Sequence, residues 1–160
     1  MNADAIRGLY DYHFAVNRTL WDRYIMPLEQ EKFIKQFDYS VGSVRNHIVH
    51  LIDVDNSWFH DLQRLEPEPW HNPDDFADKD KIRTWWDSVE TFMKAYLETL
   101  TDDMLPVYPV PENDPMTTWQ ILVHVVNHAT DHRAQMLFML NNMGVKTGPQ
   151  DYFFYLHDDL

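Results

Sequence analysis

Cysteine is absent from the 160-residue chain. That excludes a disulfide framework, a thiolate zinc site and a protein thiol acting as nucleophile, and it fits a reducing compartment. Glycine is scarce at 4 residues, which disfavours a turn-rich sandwich and leans towards helices. Positive charge is in short supply: 13 Lys plus Arg stand against 26 Asp plus Glu, for a formal net charge of -13. The basic residues are scattered singly, and nucleic-acid binding needs Lys and Arg to neutralise phosphates, so nucleic acid and anionic membranes are disfavoured as partners. There is no apolar run long enough to cross a membrane. The start, Met1 to Arg7, lacks a basic region followed by an apolar one, so a cytoplasmic location is the expectation.

What the chain does have is 44% hydrophobic and 24% charged residues, with 6 Trp, 9 Phe, 8 Tyr and 8 Met as bulky packing groups. This is a globular balance, and the length suits one domain over 1–160. Four segments carry helical periodicity. From about Asp4 to Tyr24, Ile6, Leu9, Tyr10, His13, Phe14, Asn17, Leu20, Trp21 and Tyr24 form one stripe that stops at Pro27. Ser40 or Ser43 can cap a second helix bearing Val44, His47, Ile48, Leu51, Asp55, Trp58, Phe59 and Leu62. The stretch 66–78 is rich in prolines and acids and reads as a surface crossover. A third stripe runs from Ile82 to Leu100. The prolines at 106, 109, 111 and 115 make a structured loop. Thr117 and Gln120 then form a capping-box pair that opens a long fourth helix ending at Gly144. Four amphipathic helices joined by irregular connections predict an all-α four-helix bundle.

His124, His128 and His132 recur every fourth position on the last helix. Each is rotated about 40° from the one before and lies about 6 Å further along the axis. His128 and His132 take core positions in the stripe Ile121, Val125, His128, His132, Met136, Met139, Met143, while His124 lies at its edge, where exposure or an orienting role is expected. A buried imidazole needs partners for both nitrogens, and a pair at i, i+4 can aim two nitrogens at one cation. The bland alternative is a pair of core histidines bonded to carbonyls or carboxylates. A third ligand would come from another helix. The second helix offers His47 and His50, and periodicity slightly prefers His47, so the choice stays open on spacing alone.

Two segments, 42–51 (GSVRNHIVHL) and 124–135 (HVVNHATDHRAQ), resemble the DinB-like family of damage-inducible proteins. The tail from Gly144 to Tyr152 is similar to that family's ending; Ala134 stands where the family often has Gly. The resemblance implies an up-down bundle with a single three-histidine site made by His50, His128 and His132. It implies one divalent ion, nickel, zinc or iron, and frequently a homodimer. It also implies chemistry. Relatives in the broad superfamily resemble thiol-dependent transferases and isomerases in which the metal activates a low-molecular-weight thiol such as bacillithiol or mycothiol.

The function expected on that basis is S-transfer from a small thiol to an electrophilic small-molecule substrate. Two alternatives stay beside it: hydrolysis by water activated at the metal, and a non-catalytic metal- or ligand-binding bundle acting through dimerisation. Asn46, Asn127 and Asp131 are candidates to orient the ligand imidazoles, or are solvated polar residues. Tyr12, His13 and Asn17 are candidates to line a pocket, or are core. His60, His71 and His157 are expected to be exposed, and Asp74, Asp75, Asp78 and Asp80 to form a solvated, capping run without the spacing of a calcium loop. The sole Glu-x-x-His pair, Glu68 and His71, spans Pro69, which removes the di-iron carboxylate class. The zincin phrase His-Glu-x-x-His is absent.

Overall fold

The structure, a computed structural model, describes residues 1–110 and 115–157. Helix α1 spans Ala3–Leu20, α2 Gln30–Phe33, α3 Val44–Leu62, α4 Lys79–Thr99, α5 Thr118–Asn142 and α6 Tyr152–Leu156. The four long helices are those the periodicity predicts, and among the described residues there is no strand. The helix ends follow local chemistry. Ser43, not Ser40, caps α3, its hydroxyl accepting the Asn46 N–H at 3.1 Å. The Asp78 carboxylate caps α4 by accepting the Asp80 and Lys81 N–H groups. At the start of α5 the Gln120 side-chain oxygen reaches back to accept the Thr117 N–H at 2.8 Å. Gly144 ends α5 at φ 84, and the turn closes with the Val145 N–H donating to the Leu140 carbonyl at 3.0 Å.

The first helix continues past Leu20 as a π-helical turn, Trp21–Ile25, that ends before Pro27. The small helices α2 and α6 are too short to leave a periodic signature. Pro111 falls outside the described residues.

Alternation of direction is interrupted once. Helix α3 runs antiparallel to α1, since His13 lies near Asp55 while Tyr10 packs on Phe59. The crossover after α3 then returns along it: Glu68 meets Asn56, His71 meets Asp53, and Asp74 pairs with Arg45. Helix α4 therefore starts beside the beginning of α3 and runs parallel to it, with His60 on Phe92 and Phe59 on Tyr96 near their common ends. The directions read up, down, down, up. The physical reason is reach: α3 has 19 residues, about 28 Å of helix, and an extended segment of the crossover's length easily covers that distance.

The core is one continuous apolar cluster. Ile6, Tyr10, Ile48, Ile52, Phe59, Ile82, Met93, Ile121, Val125 and Met136 are all essentially inaccessible to solvent. Helix α5 packs on both α1 and α3, and its seam with α3 holds the histidines.

Candidate metal centre

Antiparallel packing of α3 on α5 sets one turn of α3 against two turns of α5. His50 comes from the former, His128 and His132 from the latter. Their ring centroids are 5.2 Å (His50 to His128), 4.7 Å (His50 to His132) and 4.4 Å (His128 to His132) apart. One nitrogen from each ring can be chosen so that all three lie within 4.8 Å of one another. Nε2 of His50 faces Nε2 of His128 at 3.3 Å, and Nδ1 of both His128 and His132 is buried without a hydrogen-bond partner. Buried imidazoles ordinarily satisfy both nitrogens. A shared cation takes one lone pair from each ring and would account for the nitrogens that face one another. An all-imidazole donor set suits zinc, nickel or iron and not calcium or magnesium, which take oxygen.

Burial is the main force on the titration of these rings. It lowers His50 to about 4, aided by the neighbouring His132 and His47. His128 is likewise lowered to about 4 by burial and then by His132, His50 and His124. His132 is lowered by burial and by His47, against the opposing field of Asp131. All three rings are neutral near pH 7 and carry the free lone pair that ligation needs.

His47 is placed differently. It is fully buried, its Nδ1 donates to the Ser43 carbonyl at 2.7 Å, and its Nε2 lies 3.1 Å from Oε1 of Gln135. Both nitrogens are engaged by protein atoms, and the ring braces His132 at a centroid distance of 5.5 Å. His124 stays outside the trio, packed against Trp58 at 5.4 Å. Asp131 is exposed and accepts from Gln135 at 3.0 Å, so it acts on the trio through its field and through the amide that meets His47. Asn46 turns away and donates to the Val41 carbonyl. Asn127 is exposed. Trp70, which sequence reasoning missed, lies over His50 at a centroid distance of 5.8 Å with 60% of its surface exposed, forming a rim on the open side. It sits in a non-periodic crossover, so no pattern marks it.

Beneath the trio is a buried polar network. His13 and Asn17 are core residues, Asn17 meeting His13 at 3.1 Å and His13 lying 3.4 Å from Asp55. Tyr12 is also buried and donates to the Gln150 carbonyl at 2.7 Å. Arg133 is 0% exposed and donates at 2.9 Å to each of Asn17 Oδ1, Gln150 Oε1 and Thr130 Oγ1. Its core position was legible in principle, since Leu122, Val126, Ala129, Arg133, Met136 and Leu140 recur at i+3 and i+4 and are all buried.

Two histidines depart from expectation. His60 and His71 are half-buried, not exposed, because the returning crossover covers α3: His71 is held by Asp53 and His60 faces Glu68. His157 is exposed as expected. Asp74 is not merely solvated, since it pairs with the buried Arg45.

Against known proteins, the family model described as "DinB family" matches residues 1–159. No curated protein matches the chain significantly.

Proposed function

The chain belongs to the DinB family, and from that premise and the three-histidine cluster we propose that it is a metal-dependent enzyme of thiol S-transferase type, one domain acting on a small-molecule electrophile. The observation that carries the reading is the convergence of His50, His128 and His132, whose donors gather within 4.8 Å. These residues would hold a single nickel, zinc or iron ion. Held by three neutral imidazoles, such an ion keeps its net charge and makes a thiol or water brought beside it a stronger acid.

The protein's own contributions are placement and exclusion of water. His47 and Gln135 buttress His132 from the buried side. Trp70 beside His50, and Trp58 with His124 beside His128, flank the cluster with aromatic surface that favours an electrophile with an apolar body. No cysteine in the chain can supply sulfur, so the thiol arrives as cosubstrate. A cytoplasmic homodimer belongs to the same reading.

The test is to incubate the metal-loaded protein with a bimane electrophile and a panel of small thiols, beside His128→Ala. A conjugate formed only with metal, with a preferred thiol, and lost in the variant is the expected result. Absence of metal-dependent conjugation with every thiol refutes the transferase reading. Ester cleavage under the same conditions would then assign the open side of the ion to hydrolysis, and stoichiometric metal without turnover would assign it to binding alone.

A further inference from the structure

A second concave site lies between α3 and α4, on the other side of the crossover from the metal centre. Trp70 turns towards His50, while its neighbours Glu68 and His71 line an open groove of about 480 Å³. Asn56 and His60 of α3 form one wall, Trp85 and Phe92 of α4 the other. Its polar groups share an unusual bias. His60 Nδ1 lies 2.8 Å from the Asn56 carbonyl and His71 Nδ1 lies 2.7 Å from Asp53 Oδ1. A carbonyl and a carboxylate oxygen both accept, so both ring nitrogens donate, and an imidazole held in that tautomer presents Nε2 as its acceptor. The Asn56 amide donates to Glu68 Oε2 at 2.7 Å, and the Ser88 hydroxyl donates back to the Trp85 carbonyl at 2.6 Å. Those donors are spent on the protein itself, and the lining keeps two more, the Trp85 indole N–H and the second hydrogen of the Asn56 amide. Against these stand the Nε2 atoms of the two imidazoles and the Glu68 carboxylate, whose Oε1 lies 3.9 Å from His60 Nε2, with neither Lys nor Arg in the lining.

A groove whose one acidic group, the Glu68 carboxylate, stands beside imidazole acceptors and between aromatic side chains, with no basic side chain in its lining, is complementary to a cation rich in N–H donors. We propose that it binds an organic cation, a primary ammonium or guanidinium carried on an apolar body. A bare divalent ion fits less well: among the described residues the donors that gather within 4.8 Å are those of His50, His128 and His132, whereas the groove has the volume of a small-ligand site. Asp53, only 6% exposed and accepting both the His71 backbone N–H and its Nδ1–H, fixes that ring as a pre-oriented acceptor. The proposal stands independently of the thiol reading.

The test is calorimetric titration at pH 8, where an ordinary imidazole is neutral, of the metal-loaded protein with phenethylamine and with 3-phenylpropionate. Saturable millimolar binding of the amine and none of the carboxylate is expected. Because Glu68 is largely exposed, Glu68→Gln weakens the amine roughly three- to five-fold, and Glu68→Lys abolishes saturation. His128→Ala leaves amine binding intact, which separates this groove from the metal centre. Equal binding of amine and carboxylate, no saturation with the amine, unchanged affinity in Glu68→Lys, or loss of binding in His128→Ala would each overturn it. Unchanged metal content and a retained cooperative thermal transition in the Glu68 variants show that fold and metal site are intact.

Discussion

Replacing Arg133 by Met should be among the most destabilising single changes available in this chain. The guanidinium has no solvent exposure, donates to Asn17, Gln150 and Thr130 at 2.9 Å each, and lies in the field of Asp55. Methionine fills much of the volume but strands three acceptors and an internal carboxylate. Breaking a buried charged network from one side costs about 3–5 kcal/mol. Against the roughly 8–24 kcal/mol available to a domain of this length, the loss is large but survivable, and it corresponds to a drop in melting temperature of about 6–20 °C. The assay is urea and thermal unfolding of metal-stripped protein, since Arg133 follows His132 and a metal would mix two effects. Arg133→Lys should recover part of the loss, because one ammonium cannot reach three separated acceptors. Asp55→Asn should cost less in the Arg133→Met background than in wild type, giving a coupling of about 0.5–3 kcal/mol. An Arg133→Met variant within about 0.5 kcal/mol of wild type, or no coupling to Asp55, would refute the network as a source of stability.

Ser43→Ala removes the cap of α3 and should cost about 1 kcal/mol, read as a lower urea midpoint with an unchanged slope; no change would mean the cap is redundant. His50 and His128 titrate near 4 in the folded chain and near 6.5 unfolded. As pH falls through that window the unfolded chain takes up protons that the folded chain refuses, so metal-stripped protein loses stability between about pH 6.5 and 4. After allowance for partial solvation this is about 1–2 kcal/mol per ring, and a His50→Ala, His128→Ala double variant should lose correspondingly less; identical pH profiles would contradict it. Elemental analysis should find stoichiometric metal in wild type and His47→Ala, with loss in His50→Ala and His128→Ala. Retention in His50→Ala with loss in His47→Ala would reassign the third ligand. Saturating metal at about a thousand times its dissociation constant should raise wild-type stability by about 4 kcal/mol.

The long helices were readable because each buries a stripe at the helical period, and because Ser43, Thr117 with Gln120, and Gly144 mark ends by backbone chemistry that needs no partner. The return of the crossover along α3 was not readable. It is held by contacts such as Asp53 to His71 and Asn56 to Glu68, between residues in a helix and residues in a segment with no period at all. The half-burial of His60 and His71 and the position of Trp70 over His50 follow from that return and were hidden with it.

The placements of His47 and His50 show what periodicity measures at a candidate site. Distance from the centre of an apolar stripe measures depth, and by that measure His47 ranks above His50; the structure agrees, with His47 fully buried. Depth, however, works against ligation. A histidine at the centre of the stripe is surrounded by backbone and core, so its nitrogens go to neighbours, here the Ser43 carbonyl and Gln135. An imidazole free to meet two others must sit at the margin, buried enough to be neutral and open enough to face a groove, which is the condition of His50, with its Nε2 turned to His128. Periodicity along α3 thus ranks the two histidines by depth alone, and the proposed ligand is the shallower one, since burial selects groups whose partners lie within the protein and a metal ligand keeps one valence directed outward.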